Sequence, residues 1–580
     1  MADIHYRIAL AEPASHRYQV TLTLPAPTAD TVLSLPVWIP GSYMVREFGR
    51  HLSGLRARQG RREVVLTQRD KTTWQAACIG QTALVLQYEV YAFDTSVRTA
   101  FLDDQRGFFN PTSLCLRVHG QEARPHAISF GPLPKGWQVA TAMALQAGRP
   151  HTYVAADYDE LADQPVEMGR FWRGEFEAGG VAHEFVVAGA WPGFDGERLL
   201  ADTRRICAAE IAFWHGRRKP PFSRYVFMLN AVEDGYGGLE HRASTALIAN
   251  RRDLPRLGQA GLTDGYVTLL GLISHEYFHT WNVKRLKPAE FMRYDYAREN
   301  YTELLWFFEG FTSYYDDLLL LRSGLIDAPR YLRLLGRTIN GVRATPGRHV
   351  QSVAEASFDA WNKYYRQDEN TANATVSYYT KGSLIALLLD LRLRALGPRH
   401  SLDELMRALW KACPGGALTE ADVLREVAAL GGEALSQELA GWVHGKGDLP
   451  LEAALAGAGV QVDSEANGLA AGLGLKLSEG PVSGVQVKSV LAGSAASLAG
   501  LSAGDELLAV NGWRIRRLED ATQWLTPHQA FDLLLVRQQR VLTLRVQPGG
   551  DAALARQLNL SLQAQPGAAV ADLRKAWLGR

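Results

Sequence analysis

The 580-residue chain predicts a multidomain fold in which two β-rich modules flank a mainly helical α+β region, on three observations. Up to about Glu167, apolar and polar residues alternate between frequent prolines and glycines. From Asp264 to about Gly441 the apolar spacing turns helical. Beyond Gly445-Lys-Gly-Asp-Leu-Pro450, the stretch from Gly468 to Pro548 returns to short β-type runs. A chain of this length exceeds one ordinary domain and has ample core to bury. The expected division is an N-terminal all-β domain over 1–167, an α+β domain over 168–450, a β-rich module over 465–548 and a helical tail over 549–580.

The elements follow in order. Tyr18, Val20, Leu22 and Leu24 alternate with polar residues and stop at Pro25, predicting a strand, and Thr82 to Phe93 predicts another. A β-rich passage over Phe171–Ala190 precedes a helix over Gly196–Trp214 and a strand over Tyr225–Asn230. Asp264–Val283, Thr302–Leu321 and Tyr378–Leu396 have helical spacing, the last two read as amphipathic and ending before Gly324 and at Gly397-Pro398. Ser401-Leu-Asp-Glu404 and Thr419-Glu-Ala-Asp422 read as capping boxes that open two further helices. Asp551–Arg580 reads as one or two helices.

Net charge of +1 gives a polyanion nothing to bind, which argues against nucleic acid as a partner. The four cysteines, Cys78, Cys115, Cys207 and Cys413, are too scattered for a disulfide framework or a thiolate metal site. No apolar run is long enough to span a bilayer. The start, Met1 to Tyr6, lacks a basic segment followed by an apolar one, so a cytoplasmic location is expected.

Within the segment starting at Asp264 stands His275-Glu276-Tyr277-Phe278-His279, an H-E-x-x-H run. Residues i and i+4 share one helix face, so both imidazoles can reach one metal ion, with Glu276 beside its water. Chance gives about 0.02 such matches in a chain of this composition. The motif therefore predicts one zinc ion, whose third protein ligand must come from elsewhere. Glu309 in Trp306-Phe-Phe-Glu-Gly310 is the best candidate, because a carboxylate in so aromatic a helix is costly to bury unless something compensates it. Gly310 predicts close approach to a neighbouring helix. Glu299 and Glu303 also follow the motif, but Glu303 lies nearly two turns before Glu309 and lacks the aromatic setting, and His183-Glu184 has no second histidine and reads as strand.

The motif, Trp306-Phe-Phe-Glu-Gly310 and the 29 residues between His279 and Glu309 resemble the glycyl aminopeptidase family of gluzincin zinc metallopeptidases. So do His279-Thr-Trp-Asn-Val-Lys-Arg-Leu-Lys-Pro288 and Pro40-Gly-Ser-Tyr-Met-Val-Arg-Glu-Phe-Gly49. The resemblance covers nearly the whole chain and implies a thermolysin-like catalytic domain. Gly235-Tyr-Gly-Gly-Leu-Glu-His241 is similar to the Gly-x-Met-Glu-Asn element of aminopeptidase N, departing from it at Leu239 and His241. By that likeness Glu240 binds the substrate's free amine, and Gly237 and Gly238 line its backbone. Tyr378-Tyr-Thr-Lys-Gly382 resembles a Tyr-x-Lys-Gly element whose tyrosine stabilises the oxyanion, which selects Tyr379, with Tyr378 as the alternative.

Gly472-Leu-Gly-Leu475 and the run from Gly493 to Gly512 resemble a PDZ domain. Its amides at Leu473, Gly474 and Leu475 would capture a peptide C-terminus, unless the module only packs on the catalytic region. The resulting expectation is a zinc aminopeptidase acting on peptides with a free N-terminus, by metal-activated water attack. Glu276 is its general base, Tyr379 the oxyanion donor and His275, His279 and Glu309 the metal ligands. The resemblance implies small first residues such as Gly or Ala. The rivals are a zinc endopeptidase and a non-catalytic PDZ-type peptide-binding scaffold.

Overall fold

Alternation of buried and exposed residues builds the first domain. In the computed structural model, Arg17–Leu24 forms a strand whose Tyr18, Val20, Leu22 and Leu24 are all wholly buried. It pairs antiparallel with Ile4–Glu12 on one side and Leu84–Tyr91 on the other, inside an eight-stranded sheet. Two four-stranded sheets share the same apolar core. Its buried tyrosines keep their hydroxyls bonded: Tyr6 donates to the Leu116 carbonyl, Tyr18 to Phe101 and Tyr88 to Leu114. The described residues are 4–549 and 552–579. Met1 to Asp3, where the N-terminal reading begins, and Asp551 and Arg580 at the limits of the expected tail lie outside them.

Two compact units divide the chain, Met1–Asn300 and Tyr301–Arg580. Besides the β domain, the first holds a five-stranded mixed sheet, in the order Trp172–Ala178, Val181–Ala188, Arg224–Val232, Ser244–Asn250, Gly237–Glu240. The last of these is an edge strand, antiparallel to Ser244–Asn250. A helix over Gly196–His215, capped by the Asp195 carboxylate, packs on the sheet together with the helix Asp264–Phe278.

In the second unit, helices Leu305–Arg322 and Tyr378–Ala395 pack closely on each other. The spacing predicts two amphipathic helices, but both are buried on nearly every side, the pattern of central helices. Thr419 and Asp422 form the expected reciprocal capping box, whereas Ser401 caps Leu402–Ala412. Leu475–Gly480 begins the six-stranded sheet of the C-terminal module. The tail is not purely helical. Arg556–Leu562 is a strand paired along its length with Val460–Ala466, because Leu558 and its neighbours find a free strand edge there, and a helix over Ala568–Leu578 follows. Among the described residues, no helix is long and apolar enough to cross a membrane.

Candidate active site

The H-E-x-x-H run sits at the end of the helix Asp264–Phe278, which opens with Thr263 accepting from the Tyr266 amide. Tyr277 points into the sheet, its ring against Tyr225 and Phe227 and its hydroxyl 2.8 Å from His183 Nε2. His183 Nδ1–H donates to the Val181 carbonyl, so Nε2 accepts from Tyr277 and the ring is neutral. His183 and Glu184 are strand residues, as expected. The helix stops five residues short of Val283, which has φ 140. The chain turns so that the Asn282 carbonyl accepts from His279 Nδ1 at 2.8 Å, which in the neutral ring puts the unprotonated nitrogen at Nε2. That atom lies 3.0 Å from Nε2 of His275, so both histidines converge on one point.

Glu309 completes the group: ligand atoms of His275, His279 and Glu309 all lie within 4.8 Å of one another. Two imidazole nitrogens and a buried carboxylate are a fitting donor set for zinc with a coordination position left over. Glu299 and Glu303 are not in the group, and Glu303 is exposed. The neighbouring Gly310 has a steric explanation. A Cβ there would stand 2.6 Å from the Cα of Gly382, and one on Gly382 would stand 2.6 Å from the Trp306 carbonyl. Two glycines thus let the helices bearing Glu309 and Tyr379 cross in backbone contact.

The edge strand Gly237–Glu240 runs against the motif helix. At Gly238 a Cβ would overlap the Glu276 carboxylate, 2.0 Å from Oε1, so only glycine fits. Gly237 has φ +152, outside what side chains readily adopt. Glu240 is 4 % exposed, and its Oε1 is buried with no hydrogen-bond partner among the described residues. A buried carboxylate oxygen without a donor is costly.

Tyr378 and Tyr379 open their helix, behind Ser377 as the cap. Tyr378 is wholly buried; Tyr379 is partly exposed, with its hydroxyl 3.4 Å from that of Tyr365. Burial, then the Glu309 carboxylate, push the Tyr379 hydroxyl well above its ordinary range, so it keeps its proton as a donor.

Residues 5–170 match the Peptidase M61 N-terminal domain, 268–385 the M61 glycyl aminopeptidase domain, and 461–547 a PDZ domain. A solved aminopeptidase N family protein from Idiomarina loihiensis is 37% identical, with a TM-score of 0.93 over 99% of this chain and 100% of that one. The chain belongs to the M61 glycyl aminopeptidase family. It is a zinc metallopeptidase of the aminopeptidase type. An M1 zinc metallopeptidase from Deinococcus radiodurans is also similar, at 16% identity and TM-score 0.48 over 77% of this chain and 95% of its own. A comparison with curated protein sequences found no match.

Three features of this M61 peptidase were not read from the sequence. Gly41, at φ +94, brings its turn against Glu240: a Cβ there would lie 2.6 and 2.7 Å from the two carboxylate oxygens. The Pro40-Gly-Ser-Tyr43 motif was the available signal. Arg98 donates to the Gly238 carbonyl at 3.2 Å. Asp163 joins the strand to the motif helix's exit. It receives the Lys284 ammonium at 2.6 Å and the Arg242 amide at 2.8 Å, and His241 Nδ1 lies 3.3 Å away. Burial opposes its ionisation, but Lys284, His241 and Arg242 together hold its carboxyl well below the usual range. In the PDZ module, the Leu473 and Gly474 amides already donate to the Leu469 and Ala471 carbonyls.

Proposed function

We propose that this enzyme removes small N-terminal residues such as Gly and Ala from peptides, with Glu240 pairing with the substrate's ammonium group. The observation that carries the reading is the buried, unpartnered Oε1 of Glu240, two residues from the glycine that touches Glu276. A carboxylate so placed fixes the first peptide bond beside Glu276. The Gly41 turn closing on the same carboxylate favours a small first residue.

His275, His279 and Glu309 would hold the zinc ion. When bound, zinc supplies Lewis acidity that polarises the scissile carbonyl and acidifies water towards neutrality. Glu276 takes the proton of the attacking water onto its carboxylate and delivers it to the leaving amine. The Tyr379 hydroxyl donates a hydrogen bond to the developing oxyanion. Gly237 and Gly238 admit the substrate backbone alongside the strand, since neither carries a side chain. Capture of a peptide C-terminus at Leu473, Gly474 and Leu475 is a secondary proposal, because it would require the first two amides to leave their present carbonyls. Four free cysteines, three of them buried, support a reducing, cytoplasmic setting.

The test is product analysis on one peptide with a free and an acetylated N-terminus. The free form should lose its first residue and the blocked form should resist. Glu240→Ala should raise KM for the free form by roughly tenfold or more, the size expected for losing a charge-assisted hydrogen bond. Equal internal cleavage of both forms would favour an endopeptidase and leave Glu240 without this role.

A further inference from the structure

Arg98 lies in the loop between the strands Leu84–Tyr91 and Ala100–Leu102 of the N-terminal domain. Its Nη2 donates to the Gly238 carbonyl at 3.2 Å, and its Nη1 lies 3.6 Å from where a Cβ on Gly237 would stand. The side chain is half-buried, and its buried Nε has no hydrogen-bond partner among the described residues. Among the described residues Arg98 forms no ion pair. A guanidinium offers five donors in a planar fork, and taking it partly out of water without a counter-charge is unfavourable. Its natural complement is a carboxylate, bound through two parallel hydrogen bonds. Among the described residues no carboxylate pairs with it, and the adjoining Gly237 and Gly238 carry no side chain.

We propose that Arg98 determines specificity by pairing with the carboxylate of the residue that follows the cleaved bond, which makes dipeptides the preferred substrates. The inference rests on Glu240 as the amine anchor and deepens that reading. Order along the strand supplies the direction. Glu240 receives the amine, Gly238 stands at Glu276 where the bond is attacked, and Gly237 lies one step beyond, on the leaving side. Strand residues advance about 3.3 Å each, so the C-terminal carboxylate of a dipeptide falls one residue past the attacked carbonyl, beside Gly237 and the guanidinium. In a longer peptide a neutral amide occupies that place. Arg98 also engages the Gly238 carbonyl, an acceptor that a longer peptide strand would use to extend its pairing along this edge.

The experiment compares kcat/KM for alanyl-alanine, its C-terminal amide and trialanine, in the zinc-loaded full-length enzyme and in Arg98→Gln and Arg98→Lys. In the parent, the free acid should exceed the amide and the tripeptide by roughly tenfold or more, as expected for a charge-assisted pair. Arg98→Gln should bring the acid-to-amide ratio to within about twofold of one, and Arg98→Lys should retain part of the preference. If Arg98 only braced the Gly238 carbonyl, the Gln variant would lose activity on acid and amide alike and the ratio would persist. A persisting ratio overturns the proposal, as does a parent that shows no preference for the acid. If the parent releases no N-terminal residue from any of the three, the Glu240 reading fails and this inference falls with it.

Discussion

Glu276 and Glu309 are both buried glutamates, but chemistry separates them. In the proposed mechanism the first moves the proton, whereas the second lies in the group that could hold the metal, so their substitutions should fail differently. Glu276→Gln keeps size and hydrogen bonding and should abolish turnover with zinc still bound. Glu309→Ala removes one of three donors and should lower zinc content in the purified protein. Metal analysis beside an activity assay distinguishes them, and a Glu309→Ala protein with stoichiometric, tightly held zinc would unseat the ligand assignment. The sequence made this much of the site legible because the histidines are four residues apart on one helix, and Glu309 announces itself as a charge among aromatics. Arg98, Gly41 and Asp163 were not legible. Arg98 reaches Gly238 across 140 residues of chain, and no local periodicity encodes a contact of that range.

At the level of elements, the crossing of the helices Leu305–Arg322 and Tyr378–Ala395 sets where Glu309 and Tyr379 lie. Helix propensity alone makes Gly310→Ala favourable by about 1 kcal/mol. Here the added methyl meets the Gly382 backbone at 2.6 Å, which cannot swing aside as a side chain can. Overpacking of this kind costs about 1–3 kcal/mol, so the clash outweighs propensity and the helices must separate. Gly310→Ala should therefore lower both the thermal unfolding midpoint and activity, since Glu309 is the adjoining residue. An unchanged midpoint would show that the crossing tolerates the methyl. Gly310 was readable as a packing glycine, but its partner was not. Apolar runs likewise announced both helices without revealing that they are buried all round, because burial is set by the neighbours that the fold supplies.

Across the whole molecule, domain order was legible from shifts in periodicity, whereas the tail's strand was not, since its pairing partner Val460–Ala466 lies almost a hundred residues away. Stability should depend on pH through two buried histidines. Burial lowers His126 and His183 from 6.5 to about 4, so the unfolded chain binds protons more readily than the native one between those values. Stability is then full above about pH 6.5 and is lost as pH falls towards 4, by about 3 kcal/mol for each histidine. Denaturant unfolding of metal-depleted protein at pH 7 and pH 5 measures this without release of zinc, and a flat profile would contradict it. The C-terminal helix is held by a different device. Trp577 is wholly buried and donates through Nε1 to the Tyr314 hydroxyl at 3.0 Å, which in turn donates to Asp390 at 2.6 Å. Tyr314 shares a helix with Glu309 and Asp390 shares one with Tyr379, so the tail ties together the two helices that carry site residues. Arg322 and Arg394 hold the same end through the carbonyls of Trp577 and Ala576. Removing a buried tryptophan typically costs about 3–5 kcal/mol, partly through the cavity left behind. Trp577→Ala should lower the unfolding midpoint by several degrees, whereas Trp577→Phe, which refills much of the space but cannot donate, should fall between. A midpoint unmoved by Trp577→Ala would mean that the tail only rests on these helices and does not hold them.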